Sequence, residues 1–397
     1  MGIDFNTMGE QSMRLLCYSP ASYGGLADYA HEQANALVDL GVEVTLLSTP
    51  NYPVGRKAKY EIRPILQEIA PPKTLPHKVL KAIYFTAITL SNFNQLTNYI
   101  EENNFQYVLL GSYMEYLAPL WSSRLRQLAK KGVVFGAIVH DPVRDFVVGS
   151  RWWHRWSIAC GYSFLREAFV HESIELDTVR PMPQLRTTVI PYGIHHFPGA
   201  DKCKQEMRAI LNLPFDSKVM LAFGHIRDNK NLDLVIQAMV NIPDVYLIIA
   251  GKEQSSSQKR AAFYQDLATN LGVANRCRWK VEFIPDVEIA NLFAATDIIL
   301  LTYSKTFHSA SSVLNTAASY CKPCIASAGK SSLRSVVQKY ELGIWVDPDN
   351  VDAIANGIRR WLENPPIPQW QKYFEENCWE LNAQLLIKHL LENLEDY

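Results

Sequence analysis

Short apolar segments alternate with segments of helical periodicity along the whole chain. Residues 13–19 form the first apolar run, which leads into a turn at Gly24-Gly25. In the stretch 26–38, apolar residues recur every three or four positions, as on one face of a helix. Gly41 ends this helix, and residues 42–48 form the next apolar run. This order predicts a β-α-β unit with a right-handed crossover between parallel strands.

The same alternation restarts near residue 218, which predicts two doubly wound α/β sheets of one design. Further strands of the first sheet are predicted at 107–110, 132–139, 168–170 and 188–190. Those of the second are predicted at 218–224, 245–250, 279–283, 298–302, 323–327 and 343–346, with a helix at 232–239. The Pro- and Gly-bearing stretch 191–199 is typical of a linker. We therefore expect domains at 1–198 and 199–375, followed by a leucine-rich helical tail.

Composition restricts the class of protein. The chain has 397 residues, 48% of them hydrophobic and 20% charged, as in ordinary soluble proteins with two domains. Its net charge of -1 gives no general attraction for nucleic acid, so no such partner is expected. Seven cysteines without zinc-ligand spacing favour a cytoplasmic location. The uncharged run 82–100 contains many polar residues and is interpreted as an amphipathic or buried helix.

Five short motifs occur in a characteristic order. They are Gly24-Gly25, His140-Asp141, the segment 189–194, the segment 223–231 and the segment 322–327. Together with Cys378-Trp379 near the end, this set resembles the family 4 retaining glycosyltransferases of the GT-B fold, also called glycosyl transferases group 1. The resemblance implies two Rossmann-like domains facing each other across a cleft. Residues 376–397 would cross back to the N-terminal domain.

This resemblance also implies a function. The expected enzyme is a metal-independent glycosyltransferase of the hexosyltransferase type, EC 2.4, without a cofactor. It would transfer a sugar from a nucleotide-diphosphate sugar, with retention, to a glycan, lipid-linked or small-molecule acceptor. The N-terminal domain would bind the acceptor and the C-terminal domain the nucleotide sugar.

Arg227 and Lys230 are the principal candidates for chemistry. A nucleotide sugar leaves a diphosphate, so its site needs positive charge and N–H donors where negative charge grows. Both residues follow the strand that ends at Gly224, in a loop that opens the next helix, where side chains reach the edge of an α/β sheet. The alternative is that both are solvated loop charges. The match to the phosphate-binding pattern of the family, which includes His225 and Asn231, favours the functional interpretation.

Two further candidates lie in the first domain. Gly24 and Gly25 would let a phosphate or sugar approach the backbone at a helix N-terminus, although a glycine pair also forms plain turns. A full G-x-G-x-x-G pattern is missing, which argues against a nicotinamide or flavin. By resemblance, His140 points into the cleft beside the transferred sugar, where it bonds a hydroxyl or neutralises charge. The alternative for His140 is a buried histidine or a cap in the Asp141-Pro142 turn.

The second domain departs from the family at one motif. Most members place two Glu, separated by seven residues, before the Lys-Pro strand, and counting back from Lys322 puts His308 and Thr316 there. Hydroxyls at Ser311 and Ser312 resemble a branch of the family whose serine-rich loops replace the acids, with free helix N–H groups completing a phosphate site. The alternatives are an ordinary N-cap or decayed donor binding.

The expected site residues fall into two groups. Those expected to be catalytic are His140, Arg227 and Lys230. The expected donor-binding residues are Gly24, Gly25, Gly224, His225, Asn231, Ile284, Pro285, His308, Ser309, Ser311, Ser312, Val313 and Thr316. Ile284 and Pro285 are included because the loop before a helix at this position is expected to contact the base.

Three patterns that suggest metal or redox chemistry are interpreted otherwise. Asp347-Pro348-Asp349 lies between a strand and a helix and is interpreted as a turn with a helix cap. The pair Cys321 and Cys324 lies between a helix end and a strand, unlike a thioredoxin pair. The linker pair His195-His196 has no partner at metal-ligand spacing. No metal is therefore predicted.

A membrane-facing surface is a further expectation. Seven basic and two acidic residues occur in 56–81, followed by the apolar and aromatic segment 83–85. Basic and apolar residues together suit an anionic bilayer, so peripheral contact through 56–100 at the inner membrane face is predicted. The segment 151–156, with three Trp and two Arg, has the same character. The alternative is a solvated acceptor-side loop with buried tryptophans.

Two other functions stay open from the sequence. A non-catalytic sugar-nucleotide binder or partner subunit is suggested by His308 and Thr316 in place of acids. A GT-B sugar-nucleotide epimerase would need acid and base groups around the donor sugar itself.

Overall fold

The computed structural model describes residues 13–52, 57–69, 78–112, 115–140, 142, 147, 149–194, 197–253, 258–308 and 311–392. The chain divides into two compact units. The first comprises Met1–Gly193 and Asn377–Tyr397, and the second Ile194–Glu376.

The division falls after Gly193, whereas the sequence analysis placed it after Pro198. Packing explains the difference. A Cβ added at Gly193 would lie 2.2 Å from the ring of Trp379, which belongs to the first unit. Ile194 and Phe197, in contrast, pack against the core of the second unit. The chain therefore changes units inside the predicted linker.

The first unit is built around a parallel sheet. Its strands are β1 (Arg14–Tyr18), β2 (Glu43–Leu47), β3 (Glu61–Arg63), β4 (Tyr107–Leu110), β5 (Val134–Ile138), β6 (Glu167–Val170) and β7 (Arg186–Val189). Their order in the sheet is β3-β2-β1-β4-β5-β6-β7. The helices between them are α1 (Gly25–Asp39), α2 (Lys78–Asn103), α3 (Ala118–Lys130) and α4 (Arg151–Tyr162), with a 3-10 turn at Glu115–Leu117.

Alternation along the strands fills two cores. In β1, Leu15 and Cys17 face a cluster that includes α1, whereas Leu16 and Tyr18 face a cluster that includes α2, α3 and α4. Successive side chains of a strand point to opposite faces, so helices cover both faces of the sheet. This is the doubly wound architecture expected for the first unit.

The second unit repeats this design. Its strands are β8 (Lys218–Phe223), β9 (Val245–Ala250), β10 (Cys277–Lys280), β11 (Ile298–Thr302), β12 (Cys324–Ser327) and β13 (Gly343–Trp345), in the parallel order β10-β9-β8-β11-β12-β13. Its helices are α5 (Lys204–Ile210), α6 (Leu232–Ala238), α7 (Ala261–Asn270), α8 (Asp286–Ala295), α9 (Ser312–Ser319), α10 (Leu333–Lys339), α11 (Val351–Glu363) and α12 (Trp370–Glu376). Short 3-10 turns occur at Asp228–Lys230, Met239–Asn241 and Ala274–Arg276.

The last helix, α13 (Trp379–Leu391), returns to the first unit. It packs on α1, and its buried residues Leu386, Ile387 and Leu390 join the core on that face of the sheet. A buried amide pair fixes the contact, because Gln33 Nε2 donates to Asn382 Oδ1 at 2.8 Å. The expected return of the C-terminal tail to the N-terminal domain is therefore present.

Two strands differ most from the predictions, whereas the other predicted strands agree to within two residues at each end. β3 was not predicted, because its three residues, Glu-Ile-Arg, contain no apolar run. The strand predicted at 279–283 is Cys277–Lys280, since the apolar residues Val281 and Phe283 lie beyond the paired part and are exposed. The uncharged run 82–100 lies within α2, and no helix in the described segments is long and apolar enough to cross a bilayer.

Candidate active site

The strand order of the second sheet reverses between β8 and β11. In open parallel sheets, the carboxyl ends of the two strands at such a reversal splay apart and leave a crevice for ligands. The segment 224–231 follows β8 at this point and contains Gly224, His225, Arg227, Lys230 and Asn231. The structure therefore brings five predicted residues to the switch point of one sheet.

Close backbone packing shapes the start of this loop. Gly224 has φ +85°, a conformation that favours glycine. Gly251, at the end of β9, approaches it so closely that a Cβ there would lie 2.2 Å from the Gly224 carbonyl oxygen. Gly251 was not predicted from the sequence, where its only signal is its place directly after a strand. A Cβ on Gly224 would itself lie 3.2 Å from Lys230 Nζ, so the lysine folds back over the glycine.

Hydrogen bonds tie the loop to β11. Thr302 Oγ1 donates to the Lys230 carbonyl at 2.9 Å, and the Ser304 amide donates to the Asn229 carbonyl at 2.8 Å. Lys230 Nζ donates to the Phe223 carbonyl. These bonds run from the two strands at the reversal into one segment, so the loop is held in a single conformation.

Asp349 braces the same loop from a third element. Its Oδ1 accepts from Asn231 Nδ2 at 2.9 Å, and its Oδ2 accepts from the Lys305 amide at 3.1 Å. Asn231 has φ +53° and lies at the start of α6, so the carboxylate holds a strained turn. Asp349 was predicted to be part of a turn with a helix cap, but the N-cap of α11 is Asn350.

The loop concentrates positive charge. Burial, and secondly the charge of Arg227, lower the pKa of Lys230 to about 7. The pKa of His225 is lowered by burial and then by Arg227, Lys230 and Lys252. Lys252, which follows Gly251, was not predicted. Mutual repulsion among these groups is relieved by an anion, so the loop is suited to bind one.

The serine-rich segment packs beside this loop. Ser311 is the N-cap of α9, accepting from the Leu314 amide, and its Oγ lies 2.9 Å from Tyr303 Oη. Tyr303 stacks on Phe307 with ring centroids 3.9 Å apart. Burial raises the pKa of Tyr303 to about 12, against the opposing effects of Ser311 and the nearby Arg227. The hydroxyl of Ser311 therefore caps the helix and contacts the Tyr303 hydroxyl, in agreement with the N-cap alternative.

The neighbouring predicted residues have different surroundings. Val313 is buried, and its Cγ2 would lie 3.5 Å from a Cβ on Gly224. Ser312 is exposed at the start of α9. Thr316 is buried and donates to the Ser312 carbonyl within the helix, so its side chain is satisfied internally. His308 Nδ1 lies 3.2 Å from the Lys330 carbonyl oxygen, and Ser309 lies outside the described residues.

The predicted base-binding loop precedes α8. Ile284 is buried in the core of the second unit, and Pro285 is the N-cap residue of α8. Phe283 is 72% exposed. Any contact of Ile284 with a ligand would therefore use its backbone, because its side chain is packed in the core.

In the first unit, the sheet reverses between β1 and β4. Gly24 follows β1 with φ +79° and is the N-cap residue of α1, whose first residue is Gly25. His140 follows β5, and its Nε2 lies 3.1 Å from the Gly111 carbonyl oxygen beyond β4. His140 Nδ1 lies 3.4 Å from His171 Nε2, a residue that the sequence analysis did not select. Asp141 lies outside the described residues.

In the described part of the chain, no group of three or more His, Cys, Asp or Glu side chains could hold a metal ion. Cys321 follows α9, and Cys324 begins β12, as expected from the sequence. His195 and His196 lie outside the described residues.

Comparisons with known proteins agree with this geometry. Residues 204–378 match the family model "Glycosyl transferases group 1", and residues 23–196 match "Glycosyltransferase Family 4". A D-inositol 3-phosphate glycosyltransferase of Mycobacterium ulcerans is 25% identical over 276 residues, which cover 57% of this chain and 58% of that protein. The chain spans about half the length of such curated relatives, or less.

Solved structures are similar over nearly the whole chain. Sucrose-phosphate synthase from Thermosynechococcus elongatus has a TM-score of 0.68 at 18% identity, covering 97% of this chain and 100% of that one. The Anabaena protein HepE, solved with UDP and glucose, has a TM-score of 0.65 at 16% identity, with the same coverage. At such identities the likeness concerns the fold, which is GT-B.

Proposed function

Because the chain belongs to the family 4-like glycosyltransferases of the GT-B fold, we propose that it transfers a sugar from a nucleotide-diphosphate sugar to an acceptor. The observation that carries this proposal is the cationic loop at the β8/β11 reversal, where Arg227 and Lys230 follow a glycine held at positive φ. HepE, which shares the fold, was solved with UDP-glucose, which makes uridine donors the first to test.

In this proposal the loop stabilises the leaving diphosphate. Negative charge grows on the diphosphate as the bond to the sugar breaks, and preorganised cations lower the energy of that state. Arg227 offers a planar fork of N–H donors, and Lys230 a compact charge. These two side chains would do the work that a divalent metal does elsewhere, so we propose a metal-independent reaction. Retention of anomeric configuration is proposed with it.

The missing acidic pair defines the rival function. His308 and Thr316 occupy those positions, so neither provides a carboxylate that could bind a ribose. The Thr316 hydroxyl donates to a carbonyl of its own helix. A non-catalytic binder of sugar nucleotides would keep the cationic loop and lack turnover. Transfer is favoured here because His140 is present as well as Arg227 and Lys230, so all three residues expected to be catalytic are kept, each after a strand of its sheet.

The test begins with thermal stabilisation by nucleoside diphosphates and their sugars. Donors that stabilise the protein are then incubated with it, and release of free diphosphate and of sugar is measured. Arg227→Ala should lower turnover by about 10²-fold or more, as for loss of one charge-stabilising donor. Arg359→Ala is the matched control, since this exposed arginine bonds Asn356 within α11.

Three results separate the functions. Turnover that depends on Arg227 supports transfer, and proton NMR of the product then reports the anomeric configuration. Stabilisation by a diphosphate without any turnover supports the non-catalytic binder. Conversion of the donor sugar to an epimer, without transfer, supports an epimerase.

We also propose that the first unit contacts an anionic membrane, through a surface that we call the α4 face. It consists of Arg151, Trp152, Arg155 and Trp156. All four are exposed, and the indoles of Trp152 and Trp156 stack with centroids 6.1 Å apart. Indoles beside guanidinium groups suit the interface of an anionic bilayer.

The start of α2 lies at the same edge of the sheet and supports this proposal. Parallel strands place the helices that follow them with their N-termini at the carboxyl edge, so α2 and α4 both begin there. Val79, Leu80 and Ile83 are exposed at 69%, 43% and 59%. Within the predicted contact region 56–100, these exposed apolar residues at the start of α2 are the ones that support a membrane contact. Residues 53–56 and 70–77 lie outside the described chain.

Vesicle sedimentation tests the membrane contact. The protein should bind vesicles of phosphatidylcholine and phosphatidylglycerol more strongly than pure phosphatidylcholine. The double variant Trp152→Ser with Trp156→Ser should lose most of that binding. Phe263→Ser, which removes an aromatic side chain 45% exposed on the second unit, is the control. Equal binding of the wild type to both kinds of vesicle would contradict the proposal.

A further inference from the structure

His140 and His171 form a chain of contacts between two backbone carbonyls. His140 Nε2 lies 3.1 Å from the Gly111 oxygen, and His140 Nδ1 lies 3.4 Å from His171 Nε2. His171 Nδ1 lies 3.4 Å from the Ile190 oxygen. The two histidines follow the adjacent strands β5 and β6. Gly111 follows β4 and Ile190 follows β7, so all four residues lie at the same edge of the sheet.

Proton counting gives the charge of this chain. A carbonyl oxygen only accepts hydrogen bonds, so His140 Nε2 and His171 Nδ1 must each carry a hydrogen. A hydrogen bond between His140 Nδ1 and His171 Nε2 needs one further hydrogen, on one of these two nitrogens. Three hydrogens on two imidazoles are one more than two neutral rings hold, so the complete chain carries one positive charge.

Burial decides which ring holds the charge. Burial, and secondly the charge of His140, lower the pKa of His171 to about 3, so His171 is neutral. With its hydrogen on Nδ1, its Nε2 has a lone pair and must accept from His140. His140 is then the imidazolium, which donates from both nitrogens, and it is partly exposed.

Among the residues that the structure describes, the rings that face the two histidines stay neutral. The rings of Tyr29 on α1 and Tyr192 before Gly193 both face His171, and Tyr29 also meets His140 at a centroid distance of 4.7 Å. Burial raises the pKa of both tyrosines, so they stay neutral phenols. Asp28 at the start of α1 is the charged group that acts on Tyr192, and α13 contributes Trp379 against Tyr29.

We infer that His171 is a positioning residue, which keeps His140 as a doubly protonated cation at the carboxyl edge of the first sheet. The inference rests on the proposed function only in the use of that cation. A fixed imidazolium can donate a hydrogen bond to a sugar or acceptor oxygen. His171 touches none of the reacting atoms and acts through His140.

Nitrogen-15 NMR of the whole protein, labelled at histidine, tests the proton assignment without any substrate. The spectra of His140→Gln and His171→Gln assign the two rings. We expect His171 to stay in the neutral tautomer with hydrogen on Nδ1 from pH 5 to 9. We expect His140 to carry two hydrogens at low pH and to lose one at a pKa that depends on His171.

Two substitutions at His171 make the dependence measurable. His171→Phe removes the acceptor, so the pKa of His140 should fall by about one unit or more, the worth of a charge-assisted hydrogen bond. His171→Gln can accept through Oε1 and should restore most of that pKa. A His171 that carries its hydrogen on Nε2, or a His140 pKa equal in the wild type and His171→Phe, would overturn the inference. The wild-type tautomer decides the matter even if His171→Phe does not fold.

Activity gives the second readout. If the protein transfers sugar, the alkaline limb of the pH profile of kcat should follow the pKa of His140, moving to lower pH in His171→Phe and back in His171→Gln. The rate is measured at saturating donor, where the bound diphosphate keeps Lys230 protonated. An alkaline limb that stays in place while the NMR pKa moves would refute the catalytic use of the cation. If the tautomers are as expected and no donor is turned over, the proposed function fails and the proton assignment stands.

Discussion

Lys230 should take up a proton when a nucleoside diphosphate binds. In the free protein, burial and Arg227 lower its pKa to about 7, from an ordinary value of 10.5. A diphosphate beside the ammonium favours the charged form and restores a high pKa. Binding at alkaline pH therefore requires a proton from the solvent, and the affinity must fall as the pH rises.

The size of this effect follows from the pKa. At pH 8, about one tenth of free molecules carry the proton on Lys230, so binding should take up about 0.9 proton. At pH 7 the uptake should be about half a proton. Above the pKa, the dissociation constant should rise by up to about tenfold per pH unit, which corresponds to about 1.4 kcal/mol. Ionisation of the ligand's own phosphate, near pH 6, has little influence in this range.

Isothermal titration calorimetry with UDP measures the uptake directly. The titration is repeated at pH 8 in two buffers with different ionisation enthalpies, and the difference in binding heat gives the number of protons. Lys230→Arg is the matched control, because its guanidinium stays charged at every pH used. It should bind UDP with no proton uptake at this position and with a flatter pH dependence.

Two results would refute the reasoning. One is proton uptake by the wild type that equals that of Lys230→Arg at pH 8. The other is a UDP affinity of the wild type that stays constant between pH 7.5 and 9. Either result would mean that Lys230 does not change its protonation when UDP binds, so its lowered pKa would have no part in the binding.

The remaining predictions concern the supports of the loop and of the serine segment. Asp349→Ala removes one hydrogen bond from Asn231 and one from the Lys305 amide, and it should lower the stability of the protein by about 1–3 kcal/mol, measured by urea unfolding, and weaken UDP binding. Asp349→Asn can keep only one of the two bonds and should lie between; a loss of UDP affinity without any loss of stability would contradict the bracing role. Ser311→Ala removes the N-cap of α9 and should cost about 1 kcal/mol, whereas the exposed Ser312→Ala should leave stability unchanged and reduce UDP affinity, and equal stability losses would contradict this division.

Much of the fold could be predicted because buried parallel strands are nearly continuous apolar runs. Residues 107–110 and 298–302 are examples, and β4 and β11 have these bounds in the structure. The edge strand β3 escaped prediction because only one of its three residues is apolar. The domain boundary was misplaced for a different reason. Whether Gly193 belongs to the first unit depends on its contact with Trp379, a residue far along the chain that local composition does not reveal.

The candidate site shows which residues local sequence patterns can predict and which they cannot. Gly224, Arg227 and Lys230 lie close together in one motif, and the match of that motif to the phosphate-binding pattern of the family was what selected them. Asp349 lies 118 positions from Asn231 and reaches it only because β13 ends at the same edge of the sheet as β8. His171 meets His140 for the same reason, since β5 and β6 are neighbours. A residue after one parallel strand is therefore best judged together with the residues that follow the other strands at the same edge of the sheet, and these become known only with the strand order. His171 was missed because it lies outside the motif of His140, and Asp349 was interpreted only as part of a turn because its contact with Asn231 depends on the arrangement of the strands.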